Sequence, residues 1–235
     1  MPTALITGAS KGIGKASAIL FAEAGWDLIL VARNKDLLSD LSEQLIYTKR
    51  KIIYDSVDLS NSEELNQGIL GVLNKGLTPS VLVNNAGVAW TGNLLSMSTQ
   101  EWNWLLQMNL TSVFQVCSLV VPLMREKGGL VINVSSHAAY KTFPDWGAYC
   151  VSKAALASFT RCLAEEEKNN SIRACTLTLG SVNSSLWDSD SVQANFDRTK
   201  MLEVNEVASE ILHLAEKPAS QLIEDLILMP SGGAF

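Results

Sequence analysis

The chain has 235 residues, 47% of them hydrophobic and 18% charged, with a formal net charge of −6 at pH 7. That balance supports a large buried core, argues against bulk disorder, and leaves no basic stripe for nucleic acid. The four cysteines, Cys117, Cys150, Cys162 and Cys175, are scattered, and the histidines are His137 and His213 alone. No spacing here suits zinc, so no metal is expected, and scattered thiols fit a reducing compartment. Met1-Pro2-Thr3-Ala4-Leu5-Ile6-Thr7 has no basic segment ahead of an apolar one, and no apolar run approaches the roughly 18 residues of a membrane span. The expectation is a cytoplasmic protein with no signal peptide and no membrane partner.

Short apolar or β-branched runs alternate with helical patterns. Strands are predicted at Thr3–Thr7, Asp27–Ala32, Lys51–Val57, Ser80–Asn84, Leu130–Ser135, Ile172–Leu179 and Asp225–Met229. Helices are predicted at Ile13–Ala24, Lys35–Tyr47, Glu63–Asn74, Gln100–Glu126 (long, with room for a bend), Ala148–Lys168 and Glu206–Glu216. Continuous apolar strands alternating with helices imply one α/β domain over the whole chain, a doubly wound parallel sheet covered on both faces. Ligands then sit beyond the carboxyl ends of the strands, where the polar residues of this chain collect. Gly180–Lys200 is long, polar and aperiodic, and is expected to form a substrate loop.

Thr7-Gly8-Ala9-Ser10-Lys11-Gly12-Ile13-Gly14 follows the first strand and opens the first helix. Glycines let backbone approach a ligand closely, and the helix N-terminus offers free N–H groups to a pyrophosphate. Gly8, Ser10, Lys11, Gly12, Ile13 and Gly14 are therefore candidate cofactor contacts.

The spacing Thr-Gly-x-x-x-Gly-x-Gly resembles that of the short-chain dehydrogenase/reductase family. The resemblance continues through Asn84-Asn85-Ala86-Gly87, Ser136 and Tyr149-x-x-x-Lys153, in family order and across nearly the whole chain. It implies a single Rossmann-type domain and hydride exchange between nicotinamide and a small carbonyl or alcohol. It also implies a catalytic group of Asn109, Ser136, Tyr149 and Lys153. In that group Ser136 bonds the substrate oxygen, Lys153 also bonds the nicotinamide ribose, and Asn109 holds a proton-relay water. Asp58 would lie near adenine, Asn85, Ala86 and Gly87 would pass close to the cofactor, and Gly180, Val182 and Ser184 would flank the nicotinamide. Two alternatives are an extended sugar-nucleotide epimerase, for which the C-terminal region is short, and a nucleotide-sensing regulator, which would have no use for Tyr149 and Lys153.

Carbonyl reduction needs a proton on oxygen, and Tyr149 is the candidate acid. Tyr149 and Lys153 are four apart on a predicted helix and share a face, so the cation is expected to lower the phenol pKa. The second strand ends Leu30-Val31-Ala32-Arg33-Asn34, without the acid that would bond an adenosine ribose. Arg33, helped by Lys11, can instead fork onto a 2′-phosphate, so NADP(H) is the expected cofactor.

Ala139 and Leu179 stand where family members often carry glycine and proline, and Ser184 where they often carry threonine. Trp90, Trp146 and Trp187 lie in or beside loops expected near the substrate, and His137 follows Ser136. His213, on a late helix, is expected to play no part. Acyl thioesters, steroids, sugar alcohols and pteridines all stay open as substrates. The resemblance also implies a homodimer or homotetramer, since family members pair their long helices, here Gln100–Glu126 and Ala148–Lys168; both are rich in apolar residues, which a covered sheet uses on one face only.

Overall fold

The computed structural model describes residues 1–194 and 196–233. In chain order its main elements are β1 (Thr3–Thr7), α1 (Gly12–Glu23), β2 (Asp27–Ala32), α2 (Lys35–Gln44), β3 (Ile52–Ser56), α3 (Ser62–Leu73) and β4 (Val81–Asn84). Then come α4 (Thr99–Leu106), α5 (Ser112–Met124), β5 (Gly129–Ser136), α6 (Gly147–Glu167), β6 (Ile172–Leu179), β7 (Val182–Asn183), β8 (Leu202–Glu203), α7 (Val204–Ala215) and β9 (Asp225–Leu228). Seven strands form one parallel sheet in the order β3-β2-β1-β4-β5-β6-β9. This is a Rossmann-like single domain.

Strand residues alternate between two cores, because successive side chains point to opposite faces. Ala4, Ile6, Leu28 and Leu30 join the layer built with α1, α2 and α7, where Phe21, Leu38 and Ile211 are fully buried. Leu5, Ile29, Val31 and Leu82 face the other layer, with Leu65 and Ile69 of α3, Val116 and Val120 of α5 and Leu156 of α6. The chain reverses direction across the sheet between β1 and β4, and this crevice is where a doubly wound sheet opens at its carboxyl edge.

Two expectations need revision. The predicted helix Gln100–Glu126 is a run from Thr99 to Met124, and a π-helical segment, Gln107–Thr111, separates α4 from α5. By length and composition this 26-residue run would be enough to cross a membrane, but polar residues interrupt it and half of its apolar window is buried within the fold. The loop after β6 is less irregular than expected. It carries β7, which pairs in parallel with β8, and 3₁₀ turns at Ser185–Asp188 and Arg198–Lys200.

A buried polar chain fastens the layers beneath the crevice. Asn84 Nδ2 donates to Asn133 Oδ1 (2.8 Å), Asn133 Nδ2 to Thr160 Oγ1 (2.8 Å), and the Thr160 hydroxyl to the Leu156 carbonyl (2.8 Å). Asn133 has no exposed surface. Replacing it with alanine removes both bonds, leaving Asn84 Nδ2 its weaker contact with Cys117 Sγ (3.4 Å) and the Thr160 hydroxyl its bond to Leu156, and buried polar groups that lose a partner cost about 1–3 kcal/mol. Asn133→Ala is therefore expected to lower the urea unfolding free energy by about 1–3 kcal/mol. An unchanged midpoint would show that the chain contributes nothing to stability.

Candidate active site

The glycine loop and the end of β4 are stitched together. The Thr7 hydroxyl accepts the backbone N–H groups of Asn85 and Ala86 (both 3.1 Å), and Asn85 Nδ2 donates to the Thr7 carbonyl (3.0 Å). A side chain at Gly14 would run into the Gly8 carbonyl and come within 2.6 Å of Asn85 Nδ2. Gly8 itself has φ +67°, a conformation that favours glycine. The close contact aims α1 at the crevice.

That helix begins without a side-chain cap: Lys11 occupies the N-cap and makes no capping bond. By contrast, Asn34 and Asn61 cap α2 and α3, and Ser98 and Glu101 form a capping box on α4. No acid lies in the first turn of α1. Its N–H groups and partial positive charge are left for an anion.

A cleft of about 980 Å³ opens here. Its walls include Gly8, Ser10, Lys11, Gly12 and Ile13 of the loop, Arg33 after β2, and Asn85, Ala86 and Gly87 after β4. Ser136 after β5, Tyr149 and Lys153 of α6, and Gly180, Val182 and Ser184 after β6 complete the set. Lys11 and Arg33 are both exposed, and among the described residues neither forms an ion pair.

Three expected residues do not reach the wall. Gly14 sits behind the loop, as the packing requires. Asp58 is turned into its own bend, where its carboxylate accepts the Ser60 N–H (2.9 Å) and hydroxyl (2.8 Å); Val57 and Leu59 face the cleft instead. Asn109 is buried in the π-helical segment. Its Oδ1 accepts the Val88 N–H (2.9 Å), and its Nδ2 donates to the Val88 carbonyl (2.9 Å) and to Ser152 (3.0 Å). A Cβ at Gly87 would lie 3.3 Å from Asn109 Oδ1 and 3.7 Å from Lys153 Nζ, so Asn109 backs the site at close range.

Tyr149 and Lys153 come together as their spacing predicts. They are 9% and 6% exposed, and Lys153 Nζ lies 5.7 Å from the Tyr149 ring centroid. Burial pushes the phenol up to about 12, with the Ser136 hydroxyl pulling the other way. The expected lowering by Lys153 does not emerge; desolvation is the main cause of the shift of the phenol. The ammonium is itself desolvated, which brings Lys153 down to about 8, and it donates to the Val134 carbonyl (3.0 Å). Ser136 accepts the Ala138 N–H (3.2 Å), and its own hydroxyl proton remains available.

Further along, the cleft wall is aromatic. Trp146 meets Tyr149 edge-on at 5.6 Å and Trp187 at 5.8 Å, and Trp187 meets Phe196 at 5.3 Å. Trp104, Phe143 and Leu186 also line it. Sequence reading missed Trp104, Phe143 and Phe196, which converge from separate segments and carry no shared spacing. Trp90 is not on this wall: it lies against Gly92 and donates to Glu101 (3.2 Å). His137 is on it, and His137 Nδ1 and Ser181 Oγ are buried without a partner among the described residues. His213 is exposed on α7, and no cluster of metal-ligating side chains exists among the described residues.

Residues 2–195 match the sequence profile of the short chain dehydrogenase family. The protein belongs to that family. A similar curated relative of this dehydrogenase is a 3-oxoacyl-(acyl-carrier-protein) reductase of Chlamydia trachomatis, 30% identical over 99% of the chain and 97% of the relative. Among solved structures, an alcohol dehydrogenase from the archaeon Thermococcus sibiricus, complexed with 5-hydroxy-NADP, has a TM-score of 0.90 at 27% identity, covering 98% of this chain and 97% of that one. A metagenomic short-chain oxidoreductase in complex with NADP has a TM-score of 0.84 at 28% identity, with the same coverage.

The shifts carry a pH signature in the free protein. Lys153 binds its proton less tightly folded than unfolded, so it adds stability as pH rises from about 8 toward its ordinary 10.5. Tyr149 holds its proton more tightly when folded, so it removes stability between its ordinary 10.0 and about 12. Lys153→Met should therefore be more stable than wild type near pH 7, by up to about 3 kcal/mol. Its advantage should shrink as pH approaches 10. A pH-independent difference in denaturant midpoints would contradict the buried ammonium.

Proposed function

We propose that this dehydrogenase is an NADP(H)-dependent oxidoreductase interconverting a small carbonyl and an alcohol. The observation that carries the reading is the buried Tyr149–Lys153 pair, set beside Ser136 at the end of a cleft that begins at an uncapped helix. A desolvated phenol and ammonium side by side are costly to keep, and a mere nucleotide sensor would gain nothing from them.

The residues suit a nicotinamide dinucleotide. The α1 N-terminus and the glycine loop, through Ser10, Gly12 and Ile13, would hold the pyrophosphate. Arg33 and Lys11 would hold the 2′-phosphate, and Gly180, Val182 and Ser184 would flank the nicotinamide. The Lys153 ammonium donates to one protein carbonyl, which leaves two N–H donors for ribose hydroxyls. The bound cofactor would supply or accept the hydride. The similar structures complexed with 5-hydroxy-NADP and with NADP support the phosphorylated form.

Tyr149 gives its proton to the carbonyl oxygen during reduction and takes it back during oxidation. Burial keeps the phenol protonated at neutral pH, as an acid requires, and the Lys153 charge favours the phenolate once the proton has left. Ser136 turns its free hydroxyl proton to the same oxygen and polarises the bond. Asn109 fixes Val88 and Ser152 behind the pair and positions it. The loop over 180–200, of which residue 195 lies outside the described residues, closes the substrate end. The four cysteines are free thiols, in keeping with a cytoplasmic protein. Phe114 and Leu123 of α5 and Val151 of α6 are exposed, and we assign that apolar face to a homo-oligomer.

Tyr149→Phe is expected to cut turnover on the order of a hundredfold or more while leaving NADPH affinity nearly unchanged. Near-wild-type turnover would remove Tyr149 from the acid role. Arg33→Ala is expected to weaken NADPH about ten- to a hundredfold, the worth of a lost charged hydrogen bond, and to leave NADH alone. The ratio of the two dissociation constants at fixed ionic strength checks it. Tighter binding of NADH than NADPH in wild type would overturn the cofactor assignment.

A further inference from the structure

The substrate end of the cleft has a character of its own. From Tyr149 outward the wall is a chain of edge-on rings: Trp146 at 5.6 Å from Tyr149, Trp187 at 5.8 Å from Trp146, and Phe196 at 5.3 Å from Trp187. The interplanar angles are 72°, 66° and 75°, so each ring presents an edge to the next and leaves faces for a guest. The wall is also braced. Trp187 Nε1 donates to the Val182 carbonyl (2.7 Å), which fixes the indole plane. Arg198 ties the segment down through Asn183 Oδ1 (2.8 Å), the Ser184 carbonyl (3.1 Å) and Asp188 Oδ1 (2.6 Å).

The rim is knit from three loops. Thr91 N–H donates to the Ser191 carbonyl (2.9 Å), the Ser191 hydroxyl to the Ala89 carbonyl (2.7 Å), and Gly92 N–H to the Asp145 carbonyl (2.8 Å). Across loops 88–93, 140–146 and 186–193 the charged residues are Lys141, Asp145, Asp188 and Asp190. Arg198 neutralises Asp188, and the Lys141 ammonium rests 5.5 Å over the Phe143 ring. What remains is two aspartates against one engaged lysine. A negatively charged substrate, or one delivered on an acidic carrier, would meet a rim on which Asp145 and Asp190 outnumber the single lysine.

We propose that the substrate is a small uncharged aryl or fused-ring ketone or aldehyde whose ring packs against Trp146 and Trp187. An acyl thioester on an acidic carrier does not suit this mouth. The inference rests on the reductase reading above and narrows its substrate class. Trp187 is the specificity-determining residue, because it joins the inner ring to the outer one and its plane is fixed. In the reaction the carbonyl carbon gains a hydride from NADPH and its oxygen gains the Tyr149 proton, giving the secondary or primary alcohol and NADP⁺.

The test compares kcat/KM at saturating NADPH for acetylnaphthalene, a linear methyl ketone of equal carbon count, acetylbenzoate and an acetoacetyl thioester. The neutral aryl ketone should lead each of the others by about tenfold or more, the scale of an aromatic pair plus ring burial. Binding of acetylnaphthalene to the NADPH complex should also quench tryptophan fluorescence. Trp187→Leu, which keeps an apolar side chain, should shrink the aryl-over-linear ratio about tenfold and weaken the quenching. Trp187→Phe, which keeps one aromatic ring but loses the rest of the indole and the bond to Val182, should fall between. A linear ketone, a carboxylated ketone or the thioester leading in wild type overturns the inference and leaves the reductase reading intact. An unchanged ratio in Trp187→Leu overturns the role of Trp187. NADPH bound with no carbonyl reduced overturns the reductase reading, and this inference with it.

Discussion

The site depends on the approach of the Thr7–Gly14 loop to the end of β4. Thr7 accepts two backbone N–H groups from the neighbouring strand, and Asn85 returns a bond to the Thr7 carbonyl. No side chain fits at Gly14 without displacing the Gly8 carbonyl. This contact fixes where α1 points and where Ala86 and Gly87 run. It also fixes how near the backbone comes to Asn109 and Lys153. One close packing event at the point where the sheet changes direction thus sets both the glycine-loop end of the cleft and the end that holds Tyr149 and Lys153.

The second constraint is desolvation. Phenol and ammonium lose solvent together on one face of α6, and their affinities for protons move apart, to about 12 and about 8. In the protein alone desolvation is the main cause of both shifts, so at neutral pH the phenol stays protonated and the ammonium mostly so. The cost of holding them is met by packing around them: Ala148 and Cys150 are buried on either side of Tyr149, and Ser152 beside Lys153 is fully buried and bonded to Asn109. An arrangement that costs stability and is nonetheless braced from behind marks a place where the fold serves chemistry.

Much of this was legible in the sequence. Buried parallel strands are short apolar runs, so β1 and β2 match their predicted bounds, and the i, i+4 relation put Tyr149 and Lys153 on one face. The glycine loop was legible because helix start and strand end adjoin in the chain. What stayed hidden depends on distant partners or on features without a period. Thr7 acts on residues 78 and 79 positions away, and nothing local marks it. The π-helical segment at Asn109 leaves the apolar pattern of the long helix almost intact, so the sequence suggested no more than a bend. Asp58 was placed by resemblance, but its carboxylate is drawn into a local turn by Ser60. The aromatic wall is assembled from Trp104, Phe143, Trp146, Trp187 and Phe196 out of three regions of the chain. Only folding brings them together.

The central claim is that this cleft moves a hydride to a carbonyl carbon while Tyr149 supplies the proton. It is tested most directly by turnover of a neutral aryl ketone with NADPH carrying deuterium on its reactive nicotinamide carbon, read by NMR of the product alcohol. The account predicts deuterium on the carbinol carbon in every molecule formed when both hydrogens of that nicotinamide carbon are deuterium, with product lost in Tyr149→Phe. Alcohol without the label, or undiminished labelled alcohol from Tyr149→Phe, would contradict it.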